Sequence, residues 1–188
     1  MSYTPRLNAD GIVGNPKWYS SNPFYIGGFG LPNCTCYAWG RFWEISDPNN
    51  QGINTPNLSR GDGDQWWDYN KDNNIYDYGQ TPKLGATICF SESHGYGAGH
   101  VAVVEEIYPN GQTIVTSNSD YGGRFFYTET LIPDSNGKYH HQGAVYLYES
   151  QGFIYNPWAE QPEPEPEEKV IDKFPWAVAW NHWDNFKK

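Results

Sequence analysis

The chain has 188 residues, 12 of them Lys or Arg and 22 Asp or Glu, which gives a net charge of −10 and a pI near 4.8. Phosphate binding requires clustered Lys and Arg, which this acidic sequence lacks, so nucleic acid is excluded as a main partner. Its apolar runs are far shorter than the roughly 20 residues of a membrane-spanning helix, so membrane insertion is not expected.

The N-terminal region predicts irregular structure. Residues 1–30 are rich in Gly, Pro and Asn, which interrupt helices and strands. The first residues, Met1–Arg6, lack the apolar core of a secretory signal. We therefore expect synthesis in the cytoplasm, with any export by another route.

Two helices are predicted in the first half of the chain. Apolar residues recur at helical spacing over Thr35–Ile45, and Asn33 is placed to cap that helix. A second helix is predicted over Asp64–Asn70, with Asp62 or Asp64 capping its positive end.

The pattern changes to strands from Leu84 onward, and residues 71–83 before it are predicted to be loop. Asn110-Gly111 is a strong hairpin-turn signal. The predicted strands are Ala86–Phe90, Gly99–Ile107, Thr113–Ser117, Gly123–Leu131 and Gly143–Tyr148. The fold class is therefore α+β, with N-terminal helices packed on an antiparallel β-sheet.

Composition divides the chain into three parts. The globular pattern covers residues 1–157. Residues 158–172 contain an acidic Pro/Glu tract that cannot form a core and is predicted to be a linker. Residues 173–188 carry three tryptophans. They are interpreted as the start of a truncated second module, or as an aromatic tail that docks back on the domain.

The three cysteines are Cys34, Cys36 and Cys89, and this odd, small number argues against a disulfide framework. Cys34 lies in the first turn of the predicted helix, where the helix dipole favours a thiolate. A reactive thiolate would serve as a nucleophile. The alternative is a buried core cysteine, the usual fate of a free thiol.

Of the five histidines, His100 has the best position for a general base. It follows a loop of small residues and opens an apolar strand, which anchors an imidazole at a sheet edge. The alternative is a polar residue that merely starts a strand. His140 and His141 lie in a predicted turn and are expected at the surface, and His94 lies within the loop.

A third group should orient the imidazole of His100. Asn118 and Asp120 follow the strand that the predicted hairpin pairs with the His100 strand, so either side chain is expected near the ring. Ordinary turn chemistry is the alternative explanation for both residues.

The sequence resembles the cysteine, histidine-dependent amidohydrolase/peptidase (CHAP) domain from about residue 22 to residue 157. The resemblance rests on four stretches in the family's order: Asn33–Arg41, Pro82–Ala86, Gly95–Glu105 and Gly152–Ile154. It implies a papain-like fold and a peptidoglycan hydrolase that cleaves an amide bond, as in many phage endolysins. Such an enzyme is made in the host cytoplasm and acts at the bacterial cell wall after release, and residues 173–188 then begin a wall-binding module.

The resemblance also implies roles for single residues. Cys34 matches the nucleophile and His100 the base, and the reaction passes through an acyl-enzyme. Cys36 stands where the family often has Trp, which argues against it as the nucleophile. Asn118 stands where the family often has Glu, and Asp120 where it tends to have a supporting polar residue.

Three matters stay open at this point. Phe29, Tyr37 and Trp39 are candidates for a substrate groove, but core packing explains them equally well. No cofactor is expected. Calcium, which some CHAP domains bind, is considered for Asp62, Asp64 and Asp68, although helix capping explains the first two better.

The reaction itself has alternatives. An N-acetylmuramoyl-L-alanine amidase and an endopeptidase both agree with the motifs, and transpeptidase or deamidase chemistry is possible on the same fold. A non-catalytic wall-binding module is the alternative of another class. The target bacterium and the oligomeric state are not predicted.

Overall fold

Three helices precede most of the sheet in chain order. The computed structural model describes residues 3–92, 97–143 and 146–161. Its helices are α1 (Pro23–Ile26), α2 (Cys34–Ser46) and α3 (Gln65–Asn73). The short α1 was not predicted; the Asn22 side chain accepts a hydrogen bond from the backbone N–H of Phe24 and starts it. The other two agree with the predicted helices to within a few residues.

Helix α2 begins where the sequence predicts. The Asn33 side-chain oxygen accepts hydrogen bonds from the backbone N–H groups of Thr35, at 2.9 Å, and Cys36, at 3.3 Å. This cap satisfies two amides that have no partner within the helix. Most of α2 is buried, which places its first turn firmly against the rest of the domain.

Helix α3 departs from the predicted capping. Asp64 is its N-cap residue, but the Asp64 side chain makes no capping hydrogen bond. Asp62 contributes its backbone carbonyl, which accepts from the Gln65 N–H at 3.0 Å. Asp64 therefore occupies the predicted position at the N-terminus of α3, but without the predicted side-chain capping hydrogen bond. Asn74 ends α3 in the left-handed conformation, with φ of 49°.

Seven strands in the described part of the chain form one antiparallel sheet with the order β1-β7-β2-β3-β4-β5, and β6 pairs with β7. The strands are β1 (Tyr78–Gly79), β2 (Thr87–Glu92), β3 (His100–Ile107), β4 (Ile114–Asn118), β5 (Tyr127–Leu131), β6 (His140–Gln142) and β7 (Leu147–Ile154). The α+β prediction is confirmed, including the hairpin turn at Asn110-Gly111.

Two short strands and several strand boundaries were not predicted. Tyr78–Gly79 lies in a region predicted to be loop, and His140–Gln142 in a region predicted to be turn. The last strand, predicted as Gly143–Tyr148, is Leu147–Ile154, and it includes the stretch Gly152–Ile154 that the resemblance implied as the closing strand. Strand β5 begins at Tyr127, four residues after the predicted Gly123.

Hydrophobic residues pack on both faces of the sheet. In β3, Val101 and Val103 belong to the core under the helices, whereas Ala102 and Val104 belong to the core on the opposite face. This alternation follows from the period of two along a strand. Because both faces of β3 are packed in the core, the backbone position of its first residue, His100, is fixed by that packing.

A buried ion-pair network ties the N-terminal segment to this core. Arg41 in α2 donates to both oxygens of the fully buried Glu105, at 3.0 and 2.9 Å. Glu105 also accepts from Ser117, the Tyr3 hydroxyl and the backbone N–H of Arg6. Five donors thus compensate the burial of one carboxylate.

The start of the predicted linker is part of the domain. Trp158 packs edge-on against Tyr76, and the Gln161 side chain exchanges hydrogen bonds with the Leu84 backbone. Residues 158–161 therefore belong to the folded unit, whereas the rest of the predicted linker and residues 173–188 lie outside the described residues. No helix in the described ranges has the length and apolar character needed to cross a membrane.

Candidate active site

Cys34 is the first residue of α2 and is half-buried. Burial raises the pKa of its thiol to about 11, although the backbone N–H groups of Val101, Thr35 and Cys34 itself act in the opposite direction. Desolvation therefore opposes the thiolate that the helix position favours. The Val101 amide next to the thiol places Cys34 beside the first residues of β3.

The other two thiols are more deeply buried. Cys36 has no exposed surface, lies 3.5 Å from the Trp18 carbonyl oxygen, and has its pKa raised by burial to about 12. Burial also raises the pKa of Cys89, which has no exposed surface in the core under the helices. All three cysteines are free. Cys34 alone among them has access to solvent.

His100 is oriented by a neutral amide. Its Nε2 lies 3.0 Å from Oδ1 of Asn118, a fully buried residue at the end of β4. The Asn118 amide nitrogen donates to the backbone and hydroxyl oxygens of Thr116, at 3.2 and 2.9 Å, which identifies Oδ1 as the atom facing the ring. His100 therefore donates from Nε2, and its Nδ1 carries the free lone pair.

The His100 imidazole is neutral at rest. Only 4% of the residue is exposed. Burial, followed by the neighbouring ring of His141, lowers the pKa of His100 to about 3, while the hydrogen bond with Asn118 acts in the opposite direction. Burial thus favours the neutral thiol and the neutral imidazole over the charged pair.

Asp120 does not contact the His100 ring by a hydrogen bond. Its two oxygens accept from the Tyr127 hydroxyl at 2.6 Å and from Nε of Arg124 at 2.8 Å. Partial burial opposes ionisation, but these two hydrogen bonds hold the pKa of Asp120 below its usual value. Of the two candidates to orient the imidazole, Asn118 occupies that position and Asp120 adds a nearby negative charge.

His141 was missed by the sequence analysis. It was expected at the surface, but only 1% of it is exposed, and its ring stacks on that of His100 with centroids 3.9 Å apart and planes 14° apart. Its Nδ1 lies 2.8 Å from a carboxylate oxygen of Glu129. The alternation of β6 explains the error, since His140 is partly exposed while the next residue points inward. A strand of three residues gives too short a pattern to predict this.

In the described part of the chain, one group of three or more possible metal ligands comes together: His100, Asp120 and His141, with atoms within 4.8 Å of one another. The two imidazole rings are nearly parallel, so their lone pairs, which lie in the ring planes, do not converge as a tetrahedral site requires. The side chains considered for calcium, those of Asp62, Asp64 and Asp68, form no such group among the described residues.

The three aromatic candidates for a substrate groove separate. Phe29 is 55% exposed, just before α2. Tyr37 has no exposed surface and packs with Trp18, and Trp39 belongs to the core under the helices, with 2% exposed. Tyr37 and Trp39 therefore do not line a groove, because one turn of α2 places both rings inside the domain.

Comparison with known proteins gives one family match. The sequence model of the CHAP domain matches residues 24–120, slightly more than half of the 188-residue chain, and this segment contains Cys34, His100, Asn118 and Asp120. No curated protein sequence matches the chain.

Among solved structures, the chain is similar to a crystal structure of N-acetylmuramoyl-L-alanine amidase from Staphylococcus aureus. The identity is 24%, the match covers 65% of this chain and 32% of that chain, and the TM-score is 0.42. The chain thus spans about a third of that solved structure.

Proposed function

The chain belongs to the CHAP domain family, and on that basis we propose that it is a peptidoglycan hydrolase that cleaves an amide bond through Cys34. The observation that carries the proposal is the 3.0 Å contact between His100 Nε2 and Asn118 Oδ1, which leaves Nδ1 as a base on the strand that packs under the Cys34 helix. A positioned thiol, a base and an orienting group are the parts that nucleophilic acyl transfer requires.

The reaction begins with a proton transfer. Because thiol and imidazole are both neutral at rest, the Cys34 proton must pass to Nδ1 of His100 as sulfur attacks the substrate carbonyl. The Val101 backbone N–H, which already acts on the sulfur, stabilises the negative charge on the sulfur as it forms. Asn118 accepts from Nε2–H throughout and so fixes the ring while its charge changes.

The Cys34 backbone N–H is the first donor for the oxyanion. The Asn33 cap engages the amides of Thr35 and Cys36 and not that of Cys34, whose N–H has no partner within the helix. As the tetrahedral intermediate collapses, His100 returns its proton to the leaving amine and a thioester forms on Cys34. His100 then takes a proton from water, the hydroxide attacks the thioester, and the thiol is regenerated.

The proposed context is an endolysin that acts at the bacterial cell wall after release from the host cell. The Pro/Glu tract and the three tryptophans after it support a tethered wall-binding module, because such a tract keeps two modules apart. Exposed Phe29, close to the nucleophile in the chain, offers an apolar contact to the substrate. Both amidase and endopeptidase activity agree with this geometry.

The test is digestion of purified Gram-positive cell walls by the full chain, followed by mass spectrometry of the released fragments. We expect native protein and Cys36→Ala to digest the walls and Cys34→Ala to be inactive. Cys36→Ala is the matched control, because its sulfur is on the same helix but fully buried. Fragments cut between sugar and peptide identify an amidase, and fragments cut within the peptide identify an endopeptidase. Equal digestion by Cys34→Ala contradicts the proposal.

A further inference from the structure

Buried His141 and part-buried Glu129 form a pair that the proposed mechanism does not use. We propose that His141, held by Glu129, is a positioning residue that keeps the His100 ring in its catalytic orientation and in its neutral form. This inference rests on the proposed function for its meaning in catalysis, but the contacts that carry it are independent of the substrate.

The contacts fix His141 on two sides. The two imidazole rings overlap face to face at 3.9 Å, so rotation of either ring would collide with the other. Glu129 holds Nδ1 of His141 at 2.8 Å, and β5, which carries Glu129, pairs with β4, which carries Asn118. Phe90 packs against both imidazoles, at centroid distances of 6.0 and 5.7 Å. The His100 ring is thus confined by Asn118 at its edge and by His141 at its face.

The charges around the pair give His141 its second role. Two imidazolium ions at van der Waals distance repel, so the pair does not take up two protons readily. Glu129 lies against His141, whereas His100 faces a neutral amide, so the carboxylate compensates positive charge on the His141 ring and not on the His100 ring. His100 then remains free to accept the Cys34 proton at Nδ1.

The other groups around the rings do not replace this effect. Asp120 favours a proton on His100, Arg124 opposes it, and these two side chains are paired with each other. Tyr148 lies opposite His141 where β6 pairs with β7. Its phenol is neutral, because burial raises its pKa above the usual value. Cys34 presents a neutral thiol. The two imidazoles therefore differ in their hydrogen-bond partner: His141 has the Glu129 carboxylate, and His100 has the neutral Asn118 amide.

The experiment follows the ring nitrogens of His100 by NMR in ¹⁵N-histidine-labelled full-length protein as the pH is lowered. His141→Phe keeps a flat ring and removes the charge, and Glu129→Gln removes the carboxylate. The matched controls are His140→Phe and Asp134→Asn, which alter a His–carboxylate pair at the surface with a distance of 3.1 Å; His140 is the neighbour of His141 in β6, and Asp134 precedes that strand. Activity on cell walls against pH is measured in parallel for each protein.

We expect the titration midpoint of His100 to rise by about one pH unit in His141→Phe and in Glu129→Gln, because the His141 ring opposes a proton on His100 and the Glu129 carboxylate supports that ring. The two controls should leave the midpoint in place. The acid limb of kcat/KM should move upward with it. The inference is overturned if the titration midpoint of His100 stays or falls in the two variants, or if it rises by the same amount in the two controls.

The outcomes separate the two proposals. If native protein digests no cell wall, the proposed function fails, yet the NMR midpoint still decides the role of His141. If His141→Phe does not fold, shown by loss of dispersion in its ¹H–¹⁵N spectrum, the midpoint in Glu129→Gln decides alone, since that change preserves size and hydrogen-bonding capacity.

Discussion

Burial of a neutral His100 predicts that the domain loses stability in mild acid. The pKa of His100 is about 3 in the folded protein and about 6.5 in an unfolded chain. Between these values the unfolded chain binds a proton that the folded protein does not. The stability that neutral His100 contributes is therefore fully present above about pH 6.5 and is lost progressively as the pH falls toward 3.

The size of this effect follows from the same two values. A pH of 5 lies about 1.5 units below the pKa of His100 in the unfolded chain, so protonation of His100 there stabilises the unfolded state by about 2 kcal/mol. The residue is 4% exposed, so solvent screening removes little of this. With a urea slope of about 1–3 kcal/mol/M for a domain of this size, the unfolding midpoint should fall by about 1 M from this group alone.

The assay compares urea unfolding of native protein and His100→Gln at pH 7, 6 and 5. Groups distant from His100 contribute equally in both proteins, so the difference between the two proteins reports the removal of the His100 imidazole from its site. We expect the variant to lose about 2 kcal/mol less than native protein between pH 7 and pH 5. A difference between the proteins that is the same at all three pH values would refute the reasoning.

Three further predictions concern the site and its support. Asn118→Ala should lower kcat at least about tenfold, and Asp120→Asn less, because only Asn118 bonds the His100 ring; steady-state kinetics on cell walls measure both. Glu105→Leu should cost about 3–5 kcal/mol in urea unfolding, since Arg41 loses its buried partner. Gly40→Ala should lower the thermal midpoint, at a cost of about 1–3 kcal/mol, because its new methyl group would lie 2.3 Å from the Trp18 ring. Equal kinetics for the first pair, or unchanged stability for the other two, would contradict these assignments.

Local signals predicted the parts of the fold that local physics determines. The Asn33 cap and the helical spacing after it determine where α2 begins, and Asn110-Gly111 determines the β3–β4 hairpin. Because that hairpin brings the end of β4 back beside the start of β3, the neighbourhood of His100 and Asn118 was predictable from the sequence.

Features that depend on distant contacts were not predictable. His141 reaches His100 only because β6 pairs with β7, far from β3 in sequence. The protonation of Cys34 depends on how much water the folded domain removes, which helix position does not reveal. The burial of Tyr37 depends likewise on Trp18 and the N-terminal segment that cover it.

The most direct measurement of the central claim is detection of the acyl-enzyme. Full-length protein is mixed with a soluble peptidoglycan fragment, quenched in acid within its turnover time, and digested for mass spectrometry. We expect a fragment joined as a thioester to the peptide that contains Cys34, absent from Cys34→Ala and retained in Cys36→Ala. Acylation at another residue, or turnover by Cys34→Ala, would contradict it.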